Sequence, residues 1–199
     1  MSGFTFIYIS DIHIGHSSPE DEGLVLSAFI KDVSNQITSY DIAHVYVVVG
    51  GDLVWNADAY AQYEDFDRQV VQPLVNMGIE RKHFVFTMGN HDCQQSVVSS
   101  NSLSHTLAIE KRYQEREFND WIHQDKCCVE KFNMFKRYLN EKFSFDRYDI
   151  LCNSVEIDED WCILSLNTSL ASFAAFQGKR DERNLGVDTR SLTQWLNAD

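Results

Sequence analysis

The chain has 199 residues, 44% hydrophobic and 13% aromatic, a composition that supports a substantial core and excludes a disordered or fibrous protein. Its formal net charge of −13 argues against a surface built to neutralise a phosphate backbone, because nucleic-acid binders concentrate Lys and Arg on one face. The basic cluster Lys179, Arg180 and Arg183 is interrupted by Asp181 and Glu182 and reads as a solvated mixed-charge loop. The start, Met1-Ser2-Gly3-Phe4, has no basic segment ahead of its short apolar run. Neither a signal peptide nor a membrane span is expected, and the expected compartment is the cytoplasm.

In chain order, Phe4 to Ile9 is an apolar strand that stops at Asp11 and His13. Leu24, Val25, Ala28, Phe29, Val33 and Ile37 then recur at helical spacing and predict an amphipathic helix. Val45 to Val49 is a second strand, apolar throughout, that leads through Gly50 and Gly51 to Asp52. Tyr63, Phe66, Val70, Leu74 and Met77 predict a second helix, which Pro73 should kink or shorten. Phe84 to Met88 is the third strand and leads through Gly89 to Asn90, His91 and Asp92. Helical crossovers of this length join parallel strands and cover both sheet faces, so an α/β layered architecture is expected.

After Asp92 the rhythm changes. Residues from about 101 to 142 are charge-rich, with helical spacing at Leu103 and Leu107 and again at Phe132, Phe135, Leu139 and Phe143. They read as a helical insertion, open to three roles: lid, docking surface or solvated excursion. Two further strands are expected near Leu151 to Ile157 and Trp161 to Leu166, around the turn Asp158-Glu159-Asp160. A last amphipathic helix should start near Asp188. Five cysteines without a CxxC spacing fit reduced thiols, and Cys93, nearest the suspected site, has no evident thiolate-stabilising cation beside it.

Parallel strands open their carboxyl ends on one sheet edge, where ligands bind, so the three clusters should converge. Asp11 and His13 can turn toward one ion, the two oxygens of Asp52 can bridge a pair, and Asn90 offers an amide oxygen to the second. Two divalent ions bring more positive charge than Asp11 and Asp52 return, and the surplus suits a phosphoryl group. His91 is a candidate acid, with Asp92 next to it as the expected carboxylate that orients the imidazole and keeps it cationic.

The segments Ser10-Asp11-Ile12-His13, Gly51-Asp52 and Gly89-Asn90-His91-Asp92, in this order with helices between, resemble the calcineurin-like metallophosphoesterase family. Trp161 to Thr168 and Gln194-Trp195-Leu196 resemble its later strand and helix more loosely. The resemblance implies one metallophosphoesterase-type αββα sandwich over residues 1–199, incomplete at its C-terminus. It also implies two divalent ions, with manganese, iron, zinc and nickel all compatible with this donor set. On that resemblance Asp11 and His13 hold the first ion, Asp52 bridges, Asn90 holds the second, and His91 is the acid assisted by Asp92.

The implied reaction is hydrolysis of a phosphodiester or phosphomonoester by a metal-bound hydroxide. A small phosphate ester such as a cyclic nucleotide is the first expected substrate, ahead of nucleic acid. The family's later Gly-His and Gly-His-x-His are missing, so a further C-terminal segment is expected to complete the shell; the other explanation is a degenerate site. The alternatives to an enzyme are a non-catalytic phosphate-ligand sensor, or regulatory module of a larger protein, and an interaction domain built on the insertion. Among the remaining histidines, His16 is either a substrate contact or a loop residue. His44 and His83 fall at the wrong end of the sheet, and His105 and His123 reach the site only if the insertion folds back.

Overall fold

The computed structural model describes residues 3–101, 115–124, 127–145, 148–172 and 186–197. Three parallel strands form its first sheet: β1 (Thr5–Ile9), β2 (Val45–Val49) and β3 (Phe84–Phe86), in the order β1-β2-β3. Register pairs Ile9 with Val49 and Val49 with Phe86, so the carboxyl ends of all three strands lie in one row. β2 is central and almost wholly buried, as its unbroken valine-rich run requires.

Helix α1 (Pro19–Ile37) makes the first crossover. The Ser18 side chain caps it by accepting the Asp21 N–H, Pro19 opens it, and Glu20, Asp21 and Glu22 fill its first turn, where the helix dipole favours negative charge. Its core face matches the expected one at Phe29, Val33 and Ile37 and departs from it near the helix start. Leu26 is buried and Phe29, Ile30, Val33 and Ile37 pack on the core, whereas Leu24 and Val25 are exposed. Each helical residue turns the side chain by about 100°, so a reading that starts two positions early puts those two residues on the wrong face.

The second crossover runs through α2 (Tyr60–Phe66), a π-helical turn (Asp67–Val71) and α3 (Gln72–Asn76). Its core residues Tyr63, Phe66, Val70 and Leu74 are fully buried, as their spacing predicts. The wide π turn lies directly before Pro73, which lacks an N–H and crowds the preceding turn, so Pro73 changes the helix's winding without ending it.

Beyond the site come the short α4 (Gln95–Ser100), then α5 (Glu115–Gln124), α6 (Cys127–Glu130) and α7 (Asn133–Phe143). The described part of the 101–142 segment is helical. Leu103, Leu107 and His105 lie outside the described residues, as do Lys179, Arg180 and Arg183. α7 corrects the reading of this segment as an excursion: Phe135, Tyr138, Leu139 and Phe143 are all buried. Tyr138 stacks on Tyr63 at 5.4 Å, and Phe143 meets Phe86 edge-on at 4.7 Å. The charged residues that suggested a solvated loop occupy its outer face.

β4 (Cys152–Glu156) and β5 (Cys162–Leu166) form an antiparallel hairpin, the second sheet. It joins β3 through side chains: Ser165 and Tyr148 hydroxyls donate to the Phe86 carbonyl at 2.6 and 2.5 Å, and the Thr87 hydroxyl donates to the Leu166 carbonyl. The loop after β5 is pinned by buried Lys131, whose ammonium donates to the carbonyls of Ser169, Leu170 and Ser172 at 2.7–3.1 Å. The last helix, α8 (Thr189–Leu196), is capped by buried Asp188, which also pairs with His123 at 3.0 Å. His123 is therefore engaged by the cap of the last helix. Among the described residues no helix is long and apolar enough to cross a membrane.

Candidate metal centre

The segments that leave β1 and β2 stay paired after the sheet ends. Asp11 N–H donates to Gly51 O, His13 N–H to Asp52 O and Ile14 N–H to Leu53 O, while Trp55 N–H returns to Ile14 O, all at 2.9–3.1 Å. This extension carries Asp11, His13 and Asp52 to one place. One donor atom from each lies within 4.8 Å of the others. All three adopt the left-handed backbone region, with φ of 55°, 51° and 53°. That region is uncommon for non-glycine residues and costs on the order of 1 kcal/mol each, a strain typical of functional sites.

The first turn of α1 supports this loop. Glu22 accepts from the Gly15 and Ser17 N–H groups, so the segment after His13 is tied to a helix and is not free to swing. Two glycines allow the β2 and β3 ends to approach. Gly51 has φ of 99°, and a Cβ there would meet the Met88 carbonyl carbon at 2.8 Å and Gly89 Cα at 2.9 Å. A Cβ at Gly89 would lie 2.5 Å from both the Cγ and the backbone nitrogen of Asp52. We expect Gly89→Ala to displace the Asp52 carboxylate and weaken Mn²⁺ binding by about 10–100-fold, with a stability loss of about 1–3 kcal/mol. Unchanged affinity in calorimetric titration would show that Asp52 is not held by this contact.

Two carboxylates interlock the strand ends. Asp52 Oδ1 accepts the His91 N–H at 2.8 Å. In return, Asp92 accepts the Asp52 and Gly89 N–H groups on Oδ2, at 2.8 and 2.9 Å, and the Leu53 N–H on Oδ1, at 3.2 Å. Asp92 is fully buried, with none of its surface exposed. The pairing of Asp92 with the His91 imidazole, expected from adjacency, is therefore corrected: its two oxygens face the backbone of the turns. Consecutive residues in a tight turn point their side chains apart, which adjacency in sequence does not reveal.

The His91 ring lies elsewhere. Its Nδ1 is 3.2 Å from the Trp55 carbonyl, its face stacks on the Trp55 indole at 4.4 Å and 24°, and it meets His13 edge-on at 4.6 Å. His16 tilts onto Trp55 from 4.1 Å. Trp55 was not identified as a site residue from sequence; the available signal was an aromatic three residues past Asp52, in the loop that must line the sheet edge. Asn90 is half-buried in the turn between Gly89 and His91. His44 pairs with Asp41, and His83 stacks on Tyr46 at 4.6 Å, both at the amino ends of their strands as expected. Cys93 is buried.

Electrostatics suit a cation. Burial pushes the Asp52 carboxyl above its ordinary pKa, against the N–H bond from His91 and the charges of His91 and His13. Burial likewise lowers His13, opposed by the Asp52 charge; the lowering favours the neutral imidazole, the form with a lone pair to donate. Burial raises Asp92 to about 8, and the Asp52 charge adds to this while the three N–H donors oppose it. Among the described residues the ion-pair partner of Asp52 is His13, at 4.0 Å. His13 Nδ1 is buried without a hydrogen-bond partner. Two carboxylates and an imidazole converging at a partly exposed sheet edge fit a divalent ion of intermediate softness.

Fold and site together define an α/β protein with a candidate divalent-metal centre at the carboxyl edge of a parallel sheet. A sequence model described as calcineurin-like phosphoesterase matches residues 4–169, most of the chain. The protein belongs to that family, whose members are in general metal-dependent phosphoester hydrolases. No curated protein and no solved structure gave a significant match.

Proposed function

We propose that this protein hydrolyses a small phosphate ester, either a phosphodiester or a phosphomonoester, at the centre formed by Asp11, His13, Asp52 and Asn90. The observation that carries the proposal is the convergence of one donor atom each from Asp11, His13 and Asp52, all three in strained backbone. Asp11 and His13 would hold one ion, Asp52 would be shared with a second, and Asn90 would serve that second ion. When bound, divalent ions such as manganese, iron, zinc or nickel supply Lewis-acid polarisation of the phosphoryl group and of the attacking water. His91 gives a proton to the leaving oxygen from Nε2. Asp92 acts as the acceptor that fixes the two turns, and not as a partner of the acid.

A cyclic nucleotide is the first substrate to test. The acidic chain repels a long phosphate backbone while a local cationic centre attracts a single phosphoryl group.

The test is Mn²⁺-dependent hydrolysis of bis(4-nitrophenyl) phosphate and of a cyclic nucleotide by the intact protein, with metal content measured in parallel. Bound metal without turnover of any ester would overturn the enzyme reading in favour of a phosphate-ligand sensor. His91→Ala should slow turnover of the cyclic nucleotide by about 10²–10⁴-fold with metal content unchanged, because the bond to Asp52 comes from the backbone N–H, which the substitution keeps. Loss of metal in that variant would contradict the acid assignment.

A further inference from the structure

We infer that Trp55 is the positioning residue of His91, doing for this imidazole what its neighbouring carboxylate does not. The inference rests on the hydrolase reading above and names the group that sets which ring nitrogen of His91 exchanges its proton.

A carbonyl oxygen has no proton to give, so the 3.2 Å approach of His91 Nδ1 to the Trp55 carbonyl is a hydrogen bond only when Nδ1 carries the hydrogen. With Nδ1 committed, Nε2 is the nitrogen left to release and regain a proton. The indole of the same residue stacks on the ring at 4.4 Å and 24°, which fixes the rotation of the imidazole plane. Trp55 is itself immobilised, since its N–H is bonded to the Ile14 carbonyl in the ladder that carries the metal loop. The backbone of His91 is held on Asp52. The acid is thus referenced to the metal loop from both its main chain and its ring. Trp55 is 40% exposed, so its truncation removes little of the core.

The experiment compares Trp55→Ala and Trp55→Phe with the native protein. In metal-free protein, ¹⁵N resonances of the His91 ring should report protonated Nδ1 in the native chain and in both variants, because the acceptor is the main-chain carbonyl that both keep. With Mn²⁺, Trp55→Ala should slow hydrolysis of an alkyl phosphate ester by about 10–100-fold, within the range of a general acid. Its effect on a nitrophenyl ester should be small, because that group departs without a proton. In a His91→Ala background the Trp55→Ala change should add nothing.

A native ring protonated at Nε2 alone, equal slowing of both esters, or a multiplicative double variant would each overturn the inference. If the native protein hydrolyses no ester, the functional proposal fails, and the tautomer measurement still decides the role of Trp55.

Discussion

Replacing Asp52 by asparagine is expected to reduce phosphoester hydrolysis to background and to weaken Mn²⁺ binding by at least about 100-fold, beyond the range typical of groups that merely support a ligand. The substitution keeps shape and an oxygen able to accept the His91 N–H at 2.8 Å, so lost structure does not explain the effect. It removes the charge that two cations would share. Stability separates this from a folding defect. Burial raises the Asp52 carboxyl, so its ionised form opposes folding in the metal-free protein, and metal-free Asp52→Asn should be no less stable than the native chain at neutral pH. Native protein should gain about 2.7 kcal/mol at a hundredfold excess of Mn²⁺ over its Kd, and the variant almost nothing. Urea unfolding with and without Mn²⁺ measures both quantities, and an equal metal-dependent gain in the two proteins would remove Asp52 from the centre.

Truncating Asp92 should be the most destabilising single change at the site, at about 3–5 kcal/mol for Asp92→Ala, since unsatisfied buried donors cost about 1–3 kcal/mol each. Three N–H groups, from Asp52, Gly89 and Leu53, lose their acceptor in a pocket with no exposed surface. Asp92→Asn should cost less, because one amide oxygen retains part of the set while its NH₂ faces a donor. The pH dependence carries a sign. Burial raises this carboxyl from 3.8 to about 8, so the folded state binds the proton more tightly than the unfolded chain. Metal-free native protein should therefore lose stability as pH rises through that interval, and Asp92→Asn should lack this contribution to the slope. Equilibrium unfolding across the interval tests both points; an Asp92→Ala protein within about 1 kcal/mol of native would show that water replaces the carboxylate.

Much of the site was legible because its logic is one-dimensional. Apolar runs that end at Asp11, Asp52 and Asn90, separated by helical crossovers, leave only one edge where their ends can meet, and the register row Ile9, Val49, Phe86 places them there. The core positions of the second crossover were legible for the same reason, since Tyr63, Phe66, Val70 and Leu74 follow the helical period. Other features were not legible. Leu24 and Val25 satisfied the period of α1 yet face solvent, because a period fixes spacing and not where along the helix burial begins. α7 looked like part of a surface insertion because its polar outer face dominates its composition, while its buried aromatics make contacts remote in sequence, with Tyr63 and Phe86.

By itself the sequence determined the α/β class, the sheet edge that carries the chemistry, and the residues Asp11, His13, Asp52, Asn90 and His91 as its candidates. These follow from local periodicity, from the handedness of crossovers and from the chemistry of side chains, all written in consecutive residues. Only the tertiary structure decided the direction of each side chain. Asp92 turns to the backbone of the β2 turn, and His91 turns to Trp55, because left-handed residues and glycine-permitted close approaches set the geometry of the strand ends. Such contacts join residues some forty positions apart, and no pattern of neighbours encodes them.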